Sequence, residues 1–234
     1  MSVKGTGLAL SLGMLATIVG YVLWVTAIGF NTASDDIATV LTNSASGSTT
    51  LQIASILVLV GLVAHGAGLI STRGTSAGTA ESLGIIFIIS AIVVWITSIG
   101  LGIALSEMGE KYVAALGGAA AGDAASVAAV GGIQIAAGFT QAANIAANTF
   151  GTVAAGIGWV LIGLAYRGSN TKGLLSFIPL EWLALLQGAI LLISSIIISN
   201  VVDVDTGAQV GGIGFLLIVV WSVLRGFQLA RSGK

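Results

Sequence analysis

Apolar positions in this chain run without the polar interruptions that mark a water-facing helix or strand. Five stretches, 6–30, 51–72, 81–105, 177–200 and 211–230, each reach the roughly 18–20 residues that carry a helix across a bilayer. The first is too long for the apolar core of a signal peptide, roughly 7–15 residues, and is expected to be a retained transmembrane helix. Between 106 and 167 the pattern is ambiguous, because no charge occurs from Ala124 to Tyr166 and the stretch has room for one span or two. The fold class is all-α, an integral membrane bundle in a single transmembrane domain, 1–234.

Charge placement resolves the ambiguity. With one span at 150–166, Lys4, Arg73, Arg167, Lys172, Arg225, Arg231 and Lys234 share one side, and Lys111 is the only basic outlier. Asp35, Asp36, Glu107, Glu110, Asp123, Asp203 and Asp205 fall on the other side. Lys and Arg concentrate on the cytoplasmic side of membrane proteins, so the expected threading is six spans with both termini cytoplasmic, in a cell membrane. On this threading 107–149 is an outer segment. The short run 37–41 predicts an interfacial helix after the first span, with Asp35 near its start and Thr49 or Thr50 capping the second span.

The outer segment contains the stretch GFTQAANIAANTF, from Gly138 to Phe150. Gln134, Gln141, Asn144 and Asn148 recur at helical spacing and share one face. Two readings stay open: a helix whose amides meet water or headgroups while its small residues pack, and a re-entrant or vestibule-lining helix whose amides face a polar path. The glycines at 117–122 and 131–132 supply candidate breaks for the second.

Small residues at Ala64/Gly68, Gly100/Ala104 and Gly151/Ala155 permit close helix approach, either within the bundle or at a subunit seam. Three spans outward and three back would make any duplication inverted in topology. The sequence carries an echo of one. IVVW at 92–95, followed by Gly100 and Ala104, matches IVVW at 218–221, followed by Gly226 and Ala230. Thr17 with Trp24 echoes Thr152 with Trp159. Two inverted three-helix halves are therefore a specific alternative to an asymmetric bundle.

Composition removes most chemistries. Charged residues are 7 % of the 234, against about 25 % in an ordinary soluble domain, and mean hydropathy is +1.07. The formal net charge of −1 offers no field for nucleic acid. Without cysteine there is neither a disulfide nor a thiolate nucleophile or ligand. His65 is the single histidine, too few for a bis-histidine haem or copper site. No nucleotide-binding glycine motif occurs. No cofactor or metal is expected, and the chain reads as a protein that is not an enzyme.

Three ionisable residues remain. His65 lies inside the second span, where such groups are costly and default to functional candidates, although a lone neutral imidazole can also be satisfied structurally. Glu81 begins the third span and Glu181 follows Pro179 at the start of the fifth, where carboxylates suit a helix N-terminus. If the cytoplasmic ends converge, His65 and either carboxylate would form a protonatable site. Of the tryptophans, Trp182 fits the cytoplasmic interface, and Trp24, Trp95, Trp159 and Trp221 are expected to fill gaps between glycine-rich helices.

The segments SIGLGIALSEMGEKY, 98–112, and GIGWVLIGLAY, 156–166, resemble uncharacterised archaeal polytopic membrane families of unknown function. The Ala/Gly stretch 117–138 departs from their pattern. The resemblance implies an archaeal source and a multi-span fold, and it carries no activity or site residues. The leading functional expectation is a structural or accessory subunit packing with other membrane proteins or with itself in the lipid bilayer. The alternative is a small transporter or channel with a polar path near the amide stripe and His65.

Overall fold

The computed structural model describes residues 1–74, 78–167, 175 and 177–233; Lys172 and Lys234, used above to orient the chain, lie outside the described residues. Seven helices occur among the described residues: α1 (Val3–Ile28), α2 (Ile37–Ser46), α3 (Ser48–Ser71), α4 (Thr79–Ala120), α5 (Ala124–Arg167), α6 (Leu180–Val201) and α7 (Val204–Ser232). All but α2 are long and apolar enough to span a membrane. The chain is a multi-pass helical membrane protein.

The six spans form a ring. Each packs on its neighbours in the chain, and α7 closes the ring on α1. The two termini meet at one end, where a side chain on Gly233 would lie 2.8 Å from the Lys4 nitrogen. Glycines set the seams. A Cβ on Gly158 would lie 2.7 Å from the Gly84 carbonyl oxygen, and one on Gly61 would lie 2.6 Å from that of Gly13. Such distances are closer than side chains tolerate, so the backbones approach as small-residue membrane packing allows. Of the three small-residue steps, Gly68 faces Leu10 and Gly151 faces Trp95, whereas Gly100 has nothing within 4 Å.

The amide stretch behaves differently from the expected outer segment. Helix α5 is continuous for 44 residues and α4 for 42, about 66 and 63 Å at 1.5 Å per residue. The hydrocarbon core is only about 30 Å thick. The two helices therefore form a hairpin that stands well clear of the bilayer, with its turn at 121–123, where Gly122 takes φ +82°. Segment 107–149 is thus the distal part of two membrane-crossing helices, not a separate helix before the fourth span. Glycines 131 and 132 break nothing. Their cost, about 1 kcal/mol each relative to alanine, is too small to interrupt a ladder that continues through alanines on both sides.

A second small core steadies the hairpin. Leu41 of α2 packs with Leu105 and Tyr112 of α4 and Ala137 of α5, all buried. Helix α2 is therefore held against the hairpin base, and only Gly47 separates it from α3. Asp36, not Asp35, caps α2, and α3 begins without a side-chain cap from Thr49 or Thr50.

Three carboxylates cap helices at this end. Asp36 accepts from the Thr39 hydroxyl and amide, Asp123 from the Ser126 hydroxyl and amide, and Asp203 from the Thr206 amide and hydroxyl. These bonds favour the ionised form and hold all three pKa values below the usual carboxylate range. A lowered folded pKa adds stability that is present above the ordinary value near about 3.9 and is lost as pH falls through the folded value. Thermal melting at pH 7 and pH 3 should show a small acid loss. Asp203→Asn should keep the cap and reduce that loss.

Candidate solute cavity

All six spans contribute to one cavity of about 330 Å³ at the hairpin end of the ring. Ligand pockets typically begin near about 300 Å³, so the space suits a small solute. Its floor is apolar, formed by Met14, Leu62, Trp95 and Phe215, with the Trp95 and Phe215 rings 5.0 Å apart. Its walls are mostly apolar but carry a set of polar side chains. Helix α1 presents Thr17, Tyr21 and Trp24; α4 presents Ser98; α5 presents Gln141, Asn144, Asn148, Thr149 and Thr152.

Helix α6 reaches the cavity through an irregularity. Residues Ile193–Ile198 form a π-helical stretch, which widens the turn and brings Ser194, Ser195 and Ser199 to the cavity wall. Ser199 Oγ donates to the Ser194 carbonyl at 2.9 Å, the same carbonyl that accepts from the Ser199 amide in the widened turn. Such π-bulges concentrate at functional sites.

Ser34, in the connection between α1 and α2, sits at the mouth. Its amide donates to Asp205 Oδ2 at 3.2 Å, and its carbonyl accepts from Gln141 Nε2 at 3.3 Å. One loop residue thus ties α5 and α7 across the opening. Deeper, Asn144 Oδ1 accepts from Ser98 Oγ. A smaller space of about 120 Å³ adjoins behind Trp24, Ser34, Gln141 and Asn144.

The four amides of the sequence stripe therefore divide. Gln141, Asn144 and Asn148 line the cavity. Gln134 lies farther out on the hairpin and donates to the Tyr112 hydroxyl at 3.0 Å. Asp205 is the one acidic or basic residue among the described lining residues, and the aromatic rings of Tyr21, Trp24 and Trp95 are nearby.

The other candidate set is not assembled. His65 is buried at the termini end of the bundle, with Nδ1 3.3 Å from the Leu10 carbonyl oxygen and its ring 6.4 Å from that of Trp159. Its Nε2 has no hydrogen-bond partner among the described residues, so neither Glu81 nor Glu181 pairs with it. Glu81 is buried and accepts from the Gly74 amide at 2.8 Å, which ties the α3–α4 turn. Glu181 stays in the first turn of α6. The cavity does not reach His65.

Trp159 and Trp221 fill the core as expected, while Trp24 and Trp95 border the cavity. Sequence reading missed Ser98, the α6 serines and Asp205. The adjacent Ser194 and Ser195 inside an apolar span were the available signal. Comparison with protein-family models, with curated proteins and with solved structures yields no match.

Proposed function

We propose that this membrane protein is a small-solute transporter, with the hairpin-end cavity as its solute site. One observation carries the reading: a single cavity bordered by all six spans takes amides, hydroxyls and a carboxylate from five of them. A polar lining at membrane depth is expensive and persists where it borders a water-filled path. One carboxylate and no Lys, Arg or His among the described lining residues favours an uncharged or cationic solute and disfavours an anion. The Lys/Arg placement supports a cytoplasmic termini end, so the cavity would face outward.

The test is flux into proteoliposomes across a panel of small uncharged and cationic solutes. Filling the cavity with Asn144→Leu and Asn148→Leu together should reduce flux of any transported solute at least about tenfold, by loss of oriented polar contacts. No flux across the panel, or flux unchanged in the double variant, would defeat the proposal.

A second reading, an accessory subunit, has its own support. The projecting hairpin exposes Val127, Ile135 and Phe139 on one face of α5, and Phe139 is 77 % exposed. Native mass spectrometry of particles taken from native membranes in mild detergent would show stoichiometric foreign subunits if that reading holds.

A further inference from the structure

The echo between residues 92–104 and 218–230 extends to how the helices touch. In the first half, α1 meets α3 at Gly20 with Ala54 and meets the residue just before α3 at Ala27 with Gly47. In the second half, α5 and α6 meet at Gly156 with Gly188 and again at Gly163 with Glu181. One residue offset, one residue longer than that relating Thr17 and Trp24 to Thr152 and Trp159, carries Gly20 to Gly156 and Ala27 to Gly163. A second carries Ala54 to Gly188 and Gly47 to Glu181. The ring has the same symmetry: α1·α3 corresponds to α5·α6, α3·α4 to α6·α7, and α4·α5 to α7·α1.

The same offsets also locate where the halves differ. They carry Gly13 to Thr149 and Gly61 to Ser195. Gly13 and Gly61 are in tight backbone contact at the termini end, while Thr149 and Ser195 line the cavity. The repeated IVVW segments show the same contrast. Gly226 is jammed against α1, with a Cβ position 2.5 Å from the Gly7 carbonyl oxygen, and its counterpart Gly100 faces open space.

The closed end holds polar groups that gain nothing from being closed. Gln187 is fully buried, with both side-chain polar atoms unpartnered. His65 Nε2, Ser222 Oγ and Arg225 Nε are likewise buried without partners among the described residues. Only Ser44 Oγ and Trp95 Nε1 share that condition elsewhere among the described residues. Buried polar groups are ordinarily satisfied, and unpaired ones call for a reason. Hydration in another conformation supplies one. The seal over them is aromatic: Trp159 meets Trp221 edge-on at 4.8 Å, and Tyr166 lies 5.8 Å from Trp221 with the Arg225 guanidinium over its face.

We infer that α1–α4 and α5–α7 are inverted halves that exchange conformations, so that a second solute cavity, collapsed in this structure, opens at the termini end around Gln187, Ser222 and Arg225. This rests on the transport reading above, which it converts into alternating access. In the second state α1 and α3 part at Gly13 and Gly61, while α5 and α6 close at Thr149 and Ser195. Inverted repeats generate two such states from one set of contacts.

The absence of cysteine makes the test direct. Thr149→Cys, Gln187→Cys and Ser222→Cys would each be labelled with a membrane-impermeant maleimide in sealed vesicles of both orientations. Thr149→Cys should react from the hairpin side. Gln187→Cys and Ser222→Cys should react only from the termini side, about 10- to 1,000-fold more slowly if the second state is a minor one. In the Thr149→Cys/Ser222→Cys double variant, a bulky label placed first at position 149 should slow the second reaction at least tenfold, because both ends cannot be open together.

Silence at both 187 and 222, or reaction at 222 unaffected by the wedge at 149, would overturn the inference and leave a one-sided cavity standing. Silence at 149 itself would remove the cavity reading first. Ser222→Cys is nearly isosteric, so it stands in if Gln187→Cys does not fold.

Discussion

Trp159→Ala should destabilise the protein by about 3–5 kcal/mol, the range for truncating a large buried aromatic. Trp159 is 1 % exposed and stands where three elements meet. Its ring packs edge-on against Trp221 of α7 and lies 6.4 Å from the His65 ring of α3, and the neighbouring Gly158 forms the contact with Gly84 of α4. Ile162, Leu180 and Ile218, in the same core cluster, are also buried. Reversible unfolding in mixed detergent–lipid micelles, followed by circular dichroism, would measure the loss. Trp159→Phe should recover more than half of it. An alanine variant as stable as the parent would mean that this end of the ring is not packed as described.

The second large effect is a contrast between echoed positions. Gly226→Ala should cost about 1–3 kcal/mol, the usual range for overpacking, since its Cβ would press on Ser11 Oγ and fall 2.5 Å from the Gly7 carbonyl oxygen. Gly100→Ala should be neutral, or stabilising by up to about 1 kcal/mol through helix propensity, because nothing lies within 4 Å of it. The two glycines follow the same IVVW motif, so local sequence alone predicts equal effects. Equal destabilisation in the same unfolding assay would show that the two seams are equally closed.

Much of the fold is legible along the chain because bilayer thickness is a ruler. Six spans, the α2 helix and the shared end of the termini follow from apolar length and charge placement. The continuity of α4 and α5 does not. Glycines at 131 and 132 look like breaks in isolation, yet α5 is held along its length by α4, and no local signal reports that partner. The amide stripe was visible as a face, but spacing alone could not separate Gln134, which bonds Tyr112 farther out on the hairpin, from Gln141 and Asn144, which enter the cavity.

The rest of the site is invisible for the same reason. Ser98, Ser195 and Asp205 come from three different helices, and their meeting depends on ring closure and on a π-helical stretch that has no simple sequence mark. His65 illustrates the opposite error. An ionisable residue within a span invites a functional role with Glu81 or Glu181, but the imidazole is bonded to the Leu10 carbonyl and neither carboxylate reaches it.

The long α4–α5 hairpin has a practical consequence for imaging. At 23.3 kDa the protein offers little mass outside a detergent micelle for particle alignment. The hairpin is a projection of two long helices, each continuous with a span of the ring. A compact marker domain grafted between Ala120 and Ala124 through uninterrupted helix would move as one body with it. Its tilt relative to the micelle would then give electron microscopy a direct readout of any rocking between the halves.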